Sequence, residues 1–225
     1  MYIILRPHAL LKVLASMRFL AGANDMRHCL LLIFLFLTSC AITKTTTNPT
    51  YIKQEAAITP LHIIPIYIDN KFCITDKVLI KTAIDNWNDA LNGYLILKII
   101  STNFIESKES IKRIIKEKSF VILQTYSDNE IIKERDIDDN LTIGLANKIG
   151  GNIIHLVRDR LSEKDITPIT MHELGHLLGA DHTEEKYLMN YLYSKDRYKC
   201  VDLYTIKQVS EFWHLPIQRM NYCVY

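Results

Sequence analysis

The 225-residue chain is poor in the residues that mark fibrous and low-complexity proteins, with seven glycines and six prolines. A collagen-like repeat and a Pro/Gly low-complexity class are therefore excluded. Charged residues make up 23% of the chain and hydrophobic residues 48%, which excludes a largely disordered protein. Residues 1–39 contain four of the 27 basic side chains and one of the 25 acidic side chains. The remainder therefore carries 23 basic and 24 acidic side chains. This balance gives no support to a nucleic-acid partner.

The chain also lacks a long apolar run. A membrane-spanning helix needs about 20 apolar residues, and no run in this sequence is that long. The run Leu30–Leu37 follows a short basic stretch and has the length of the apolar region of a signal peptide. We interpret residues 1–39 as a signal segment that is removed. Residues 1–25 fit no part of such a signal, so we expect translation to begin at Met26 or Met17.

The sequence Leu37-Thr38-Ser39-Cys40 resembles the lipobox of bacterial lipoproteins, in which the cysteine is acylated and becomes the first residue of the mature chain. The resemblance implies a membrane partner through a lipid anchor at Cys40. Ala41 in place of Asp implies the outer rather than the inner membrane of the cell envelope. The alternatives are an ordinary secretory signal, which gives a secreted protein, and a buried apolar helix. Residues 40–60 are then the lipidated cysteine and a polar, flexible tether.

Cysteine is scarce, and its number in the expected mature chain allows little cross-linking. Besides Cys40, this chain keeps Cys73, Cys200 and Cys223. Three cysteines in an exported protein form at most one disulfide and leave one thiol. We favour a bond between Cys200 and Cys223, because these two flank the same C-terminal element.

Residues 61–225 show a mixed pattern of short apolar strands and helices, which predicts an α/β (α+β) domain with a small twisted sheet packed by helices. The predicted strands are 61–68, 94–100, 120–126, 141–146 and 153–157, and the predicted helices are about 75–91 and 106–118. Residues 127–140 are predicted to form a polar loop. A last helix is expected after Asp202, with Leu203, Ile206, Val209 and Trp213 facing inward.

The most informative local pattern is residues 172–182, which read His-Glu-Leu-Gly-His-Leu-Leu-Gly-Ala-Asp-His. On a helix, His172 and His176 lie one turn apart on the same face, where both can bind one zinc ion. Thr167-Pro168 is predicted to open this helix as its N-cap and first residue. Gly179 is predicted to end the helix, because glycine adopts a positive φ at little cost.

The turn at Gly179 can bring His182 to the same metal ion. Three neutral imidazoles leave a fourth tetrahedral position for water, which is the layout of a catalytic Zn²⁺ site. Glu173 follows the first ligand in the chain and cannot reach the same metal ion from its position. We expect Glu173 to take a proton from water as a general base and to pass it to the leaving amine.

The spacing H-E-x-x-H-x-x-G-x-x-H resembles the signature of the metzincin zinc proteases, and Leu188-Met189-Asn190 matches their Met-turn. Asp181, before the third histidine, makes the matrixins and their bacterial relatives the most similar group. The resemblance covers about residues 61–215 and implies a metzincin-like catalytic domain over 61–225, with an active-site helix, a Met-turn and a C-terminal helix. It implies a zinc endopeptidase that acts on peptide or protein substrates. The cysteine-switch propeptide of many matrixins is missing, and the loop before the Met-turn is short.

The resemblance also implies roles for residues outside the motif. Met189 would form an apolar floor beneath the histidines, and Tyr191 would support the oxyanion or else line the substrate pocket. Residues 141–146 would be the edge strand above the cleft, with which an extended substrate pairs; the alternative is a covered core strand. His155, within an apolar strand, is predicted to be a core histidine and not a ligand.

Two other classes of function remain open. One is a non-catalytic, zinc-containing envelope lipoprotein that acts as a binding module. The presence of Glu173 favours catalysis over this class, because a purely structural zinc site needs no glutamate at that position. The other is a zinc aminopeptidase, which needs an acidic group to hold the free amine of the substrate, and no residue can be assigned to that role.

Overall fold

The computed structural model of the protein describes residues 2–5, 49–57, 59–136, 141–184, 187–192 and 200–224. The apolar run Leu30–Leu37 and the expected lipidation site Cys40 lie outside these ranges. Within them, no helix combines the length and the hydrophobicity that crossing a bilayer requires.

Strands and helices alternate along the chain. The strands are β1 (Tyr2–Leu5), β2 (Thr50–Ile52), β3 (His62–Asp69), β4 (Leu95–Phe104), β5 (Phe120–Thr125), β6 (Thr142–Ala146), β7 (Ile153–Val157) and β8 (Tyr222–Val224). The helices are α1 (Ile74–Ala90), α2 (Lys108–Lys116), α3 (Glu130–Lys133), α4 (Glu163–Leu177) and α5 (Leu203–Trp213). All five predicted strands are present, and the loop predicted over 127–140 contains the short helix α3.

Six of the strands form one mixed sheet in the order β1-β6-β7-β5-β3-β4. Strands β4, β3, β5 and β7 run parallel, whereas β6 is antiparallel to β7 and β1 is antiparallel to β6. Strands β2 and β8 form a separate antiparallel pair. The predicted fold class, an α/β protein with a small mixed sheet and packed helices, is confirmed.

Helices α1 and α4 pack against each other on one face of the sheet, and the histidine motif lies on α4. Trp87 of α1 is fully buried, and its indole N–H donates a 2.9 Å hydrogen bond to the carbonyl of Met171. The hydroxyl of Thr167 donates a 3.0 Å hydrogen bond to the carbonyl of Leu79. These contacts hold α4 in register with α1, while α2 covers the opposite face of the sheet through Ile114.

Helix α4 begins earlier than the sequence predicts, so the predicted start at Thr167-Pro168 is wrong. Ser162 is the N-cap, and its backbone N–H donates a 3.0 Å hydrogen bond to a side-chain oxygen of Asp165. Ser162 and Asp165 thus provide hydrogen-bond partners for the backbone N–H groups at the start of the helix, several residues before Pro168. Pro168 therefore lies inside the helix, where its missing N–H costs one hydrogen bond to the carbonyl of Lys164.

The end of the chain is tied to residues that the sequence assigns to the tether. Strand β2 pairs with β8, and the backbone N–H of Gln54 donates a 2.6 Å hydrogen bond to the side-chain oxygen of Asn221. The side-chain amide of Asn92 donates a 2.8 Å hydrogen bond to the carbonyl of Glu55. The structured part thus includes residues 50–55, because their backbone groups find partners at the C-terminus and after α1.

The predicted disulfide is present between Cys200 and Cys223, and it joins β8 to the segment before α5. Cys73 is exposed and has a free thiol, as expected for the third cysteine. Helix α5 begins after Asp202, as predicted, and Ile206 and Val209 are fully buried. Leu203, however, is 44% exposed and does not face the core.

Strand β6 is a covered strand, the second of the two alternatives that the sequence leaves open. All five of its residues are buried, and β1 pairs along its outer side with Tyr2 opposite Ala146 and Ile3 opposite Leu145. The backbone groups that an edge strand leaves open are therefore partly satisfied by this antiparallel neighbour.

The beginning of β6 is fastened by an ion pair. Arg160 donates two 2.7 Å hydrogen bonds to the two carboxylate oxygens of Asp136, and Asp136 also accepts a 2.9 Å hydrogen bond from the backbone N–H of Thr142. Arg160 donates a further hydrogen bond to the carbonyl of Thr142. The hydrogen bonds from Arg160 hold the pKa of Asp136 below its ordinary value.

We expect Asp136→Asn to lower the free energy of unfolding by about 1–3 kcal/mol at pH 7, because charged hydrogen bonds of this kind are among the strong ones. A lowered carboxyl pKa contributes stability above the unfolded pKa, and this contribution is lost as the pH falls through the folded pKa. The difference between the variant and the wild type should therefore shrink below about pH 4. Urea unfolding at pH 7 and pH 3 measures it. Asp128→Asn, an exposed carboxylate of the same loop, is the control, and an equal loss in both variants would contradict the assignment.

Candidate metal centre

The end of α4 turns the chain back over the helix. The helix ends at Leu177, Gly179 has a φ of 101°, and the backbone N–H of Ala180 donates a 2.8 Å hydrogen bond to the carbonyl of Gly175. Only glycine adopts this φ without strain, and any side chain at Gly179 would overlap Phe212 of α5. The predicted helix end is confirmed, and the turn directs His182 towards the face of α4.

Three imidazoles meet at this point. The Nε2 atoms of His172 and His182 are 3.2 Å apart, and those of His176 and His182 are also 3.2 Å apart. Tetrahedral ligands bound at about 2.0–2.1 Å lie about 3.3 Å from one another, so the spacing fits one zinc ion. Within the described ranges, these histidines form the one cluster of three metal-binding side chains.

The second nitrogen of two of these rings sets their tautomer. The Nδ1 of His172 donates a 2.8 Å hydrogen bond to the carbonyl of Leu188, and the Nδ1 of His176 donates a 2.9 Å hydrogen bond to the carbonyl of Ala180. Because a carbonyl can only accept, the hydrogen of each neutral ring is on Nδ1, and the Nε2 lone pair points to the shared space. Burial lowers the pKa of His176 to about 3, so this ring stays in the neutral form that binds metals.

Met189 packs against Gly175 of α4, in the segment where the sequence places the Met-turn. Its side chain is fully buried, and its sulfur occupies the space that a side chain at Gly175 would need. The backbone N–H of Thr183 donates a 2.9 Å hydrogen bond to the carbonyl of Met189. The segment after His182 is thereby bound to the Met-turn.

Asp202 has a second function that the sequence does not reveal. It caps α5 by accepting a 2.8 Å hydrogen bond from the backbone N–H of Thr205, and its other oxygen accepts a 3.0 Å hydrogen bond from the backbone N–H of Leu188. Leu188 in turn holds His172 through its carbonyl. Asp202 therefore helps to orient a metal-binding ring, although only its capping position is readable from the local sequence.

Glu173 lies on α4 between the two helix histidines and is fully buried. Among the described residues, neither carboxylate oxygen has a hydrogen-bond partner of normal geometry. Burial raises the pKa of Glu173 well above its ordinary value, and the backbone amide of Ala146 opposes this shift more weakly. The carboxylate is therefore more basic than an exposed glutamate.

The structure places the other predicted residues at different distances from this centre. The ring of Tyr191 lies 6.3 Å from the ring of His182, between ring centroids, and its side chain is 42% exposed. His155 lies on β7, where its Nδ1 is 2.9 Å from the hydroxyl oxygen of Thr125, and burial lowers its pKa. His155 is only half-buried, so it is not the core histidine that the sequence predicts, and it lies outside the cluster of the three histidines.

No family model matches the sequence, and no curated protein matches it. The solved structures that are similar to part of the chain include a metalloproteinase and an archaemetzincin. A metalloproteinase-II from Bacteroides fragilis has a TM-score of 0.48 and 18% sequence identity, over 71% of this chain and 56% of its own. An archaemetzincin from Methanopyrus kandleri has a TM-score of 0.45 and 12% identity, over 69% of this chain and 96% of its own. This chain therefore spans 56% of the length of the first of these proteins.

We expect the purified protein to bind about one zinc ion per chain, since three imidazoles at this spacing form one site. His182→Ala should lose most of the bound zinc, because it removes one of the three ligands. Metal analysis after dialysis against trace zinc measures the loss. His214→Asn, at the exposed C-cap residue of α5, is the control and should keep its zinc. Undiminished zinc in His182→Ala would contradict the three-histidine site.

Proposed function

We propose that this protein is a zinc-dependent endopeptidase of the metzincin type, tethered to the bacterial cell envelope. The observation that carries the proposal is the convergence of His172, His176 and His182 through their Nε2 atoms, with two rings fixed by hydrogen bonds to the backbone. A buried carboxylate, Glu173, lies on the same helix. Three neutral nitrogen donors beside a carboxylate that is not itself a ligand are the parts of a hydrolytic zinc site.

The donor set suits zinc, and the three side chains would hold the ion through their Nε2 atoms. Zinc in such a site would supply Lewis acidity and lower the pKa of water to about 7. Two ligands come from a helix that is buried along most of its length, and the third comes from the turn fixed by Gly179. The site is therefore formed by rigid elements, which favours a constant ligand geometry.

Glu173 is the general base of the proposed reaction. Among the described residues its two carboxylate oxygens have no hydrogen-bond partner of normal geometry, so both are available to accept a proton. It takes a proton from the attacking water and then passes that proton to the nitrogen of the leaving amine. The same residue thus serves first as a base and then as an acid.

Strand β6 is the proposed binding edge for an extended peptide substrate. The substrate would take the place of β1, because β1 belongs to residues 1–39, which we expect to be removed. The contact of β6 with α4 places this strand directly beside Glu173, and its outer side accepts an antiparallel strand, as its pairing with Tyr2–Leu5 illustrates. An extended peptide paired in this way would pass the catalytic side chains with its backbone in a fixed register. We therefore propose peptide or protein substrates, bound mainly through main-chain hydrogen bonds.

Two finer assignments rest on the sequence motif. We assign Tyr191 to oxyanion support or to the wall of the substrate pocket, and its partly exposed position beside His182 suits both roles. We also place the protein with the matrixin-like group, since Asp181 precedes the third ligand. Asp181 accepts a 2.6 Å hydrogen bond from the backbone N–H of His182 and so stabilises the turn that carries this ligand.

One observation favours the second candidate, a non-catalytic zinc module of the envelope. Glu173 is 0% exposed and His172 and His176 are almost as buried, so only the half-buried His182 brings the cluster towards the surface. A structural zinc site would be closed in this way. Hydrolysis by the zinc-loaded protein separates the two candidates.

We expect Glu173→Gln to keep its zinc and to lose hydrolysis, because the histidines supply all the protein ligands. A general base typically contributes about 10²–10⁴-fold, and the loss should appear in kcat with KM little changed. Peptide hydrolysis at matched zinc occupancy measures this effect. Glu163→Gln, at the exposed start of the same helix, is the control and should retain full activity. Equal rates in Glu173→Gln and the wild type, or no hydrolysis by the zinc-loaded wild type, would favour the non-catalytic module.

For the envelope tether, we expect Cys40→Ser to release the protein from the membrane fraction or to stall its processing, because the lipobox resemblance makes Cys40 the acylated residue. The outer membrane is the proposed location, and secretion is the alternative. Fractionation of cells that express each variant measures the change. Cys73→Ser, which removes the exposed free thiol, is the control and should fractionate like the wild type. Normal maturation and unchanged fractionation of Cys40→Ser would mean that Cys40 is not the anchor.

A further inference from the structure

The middle residue of β6, Gly144, leaves a space that Glu173 fills. A Cβ atom built at Gly144 would lie 2.6 Å from Oε1 of Glu173 and 2.7 Å from Cγ2 of Ile169, which is closer than non-bonded atoms pack. The glycines with positive φ among the described residues are Gly93, Gly150 and Gly179, so Gly144 is not required by its backbone conformation. The need for glycine here is one of space alone.

We propose that Gly144 is a positioning residue for the general base: the absence of a side chain on β6 defines where the carboxylate of Glu173 lies. This inference rests on the proposed peptidase function for its kinetic consequence. The contact between β6 and Glu173 does not depend on that function. Gly144 lies outside the histidine motif, and no spacing in the sequence connects it with the site.

The backbone of β6 cannot move away from Glu173 at low cost. Gly144 pairs with Leu156 of β7, and the start of the strand is held by the ion pair of Asp136 and Arg160. The turn between β6 and β7 is bound to α4, since the backbone N–H of Gly150 donates a 2.9 Å hydrogen bond to the carbonyl of His176. The strand is therefore held at its start, and the turn that follows it is bonded to the helix.

An added methyl group at position 144 must then displace side chains and not backbone. The two atoms that it would meet most closely are the end of the Glu173 carboxylate and a methyl group of Ile169. The end of a flexible side chain moves more easily than a paired strand, so Gly144→Ala should fold with a displaced carboxylate. A displacement of about 1 Å in a catalytic group can cost about 10²-fold in rate.

The kinetic test compares Gly144→Ala with the wild type at matched zinc occupancy. We expect kcat to fall by about 10–100-fold with KM little changed and zinc content unchanged, because no metal ligand is among the atoms that the new methyl group would meet most closely. Gly151→Ala, in the turn that follows β6, is the matched control. Its Cβ would lie 2.7 Å from the carbonyl oxygen of Lys148 and would also meet the side chain of Asn147, but it would not meet Glu173. It should lose stability and keep its kcat.

A second arm measures the contact without using activity. Gly144→Ala should lower the Tm in the wild-type background and lower it clearly less in a Glu173→Ala background, where the carboxylate is absent. Glu173→Asp, which shortens the side chain by one methylene group, should also relieve the effect. An equal fall in Tm in all three backgrounds would overturn the proposed contact.

The two arms separate the failure of this inference from the failure of the proposed function. Hydrolysis by the wild type together with an unchanged kcat in Gly144→Ala would overturn the positioning role and leave the peptidase assignment intact. If the zinc-loaded wild type hydrolyses no peptide, the peptidase assignment fails, and with it the kinetic role of Gly144. The comparison of Tm values then still decides whether Gly144 positions the carboxylate.

Discussion

Two hydrogen bonds from imidazole rings to the backbone are the constraint on which the candidate centre depends. His172 donates to Leu188 and His176 donates to Ala180, and these bonds fix both the tautomer and the direction of each ring. The carbonyl of Ala180 is available because the helix stops where it does. The carbonyl of Leu188 is held in place by Asp202 at the start of the last helix. The end of α4, the Met-turn and the start of α5 thus act together on the same two rings.

The convergence of the three histidines could be predicted from the sequence because their arrangement is decided locally. Helical periodicity places His172 above His176, and one glycine with a positive φ returns the chain to bring in His182. Gly144 and Asp202 could not be found in this way. Both reach the site through contacts between elements distant in the chain, and such contacts leave no spacing that a single sequence displays.

The boundaries that the sequence misplaced have physical causes of the same kind. Pro168 is a strong local signal for a helix start, but the capping pair of Ser162 and Asp165 satisfies the first turn earlier and prevails. Residues 50–55 are polar and look like a linker. They are ordered because the C-terminal strand and Asn92 supply partners for their backbone. A polar segment is a linker only when no other part of the fold offers it hydrogen bonds.

The pairing of β2 with β8 shortens the segment of chain that can separate Cys40 from the folded domain. If Cys40 carries the lipid, only residues 41–49 separate the anchor from the first residue of β2, where the sequence suggested a tether reaching to residue 60. Even fully extended, this segment spans at most about 30 Å. The domain would then sample only a thin layer next to the bilayer surface. Under the proposed peptidase function, proteins of that layer would be its substrates, and a protein diffusing freely in the surrounding compartment would meet it only on approaching the membrane.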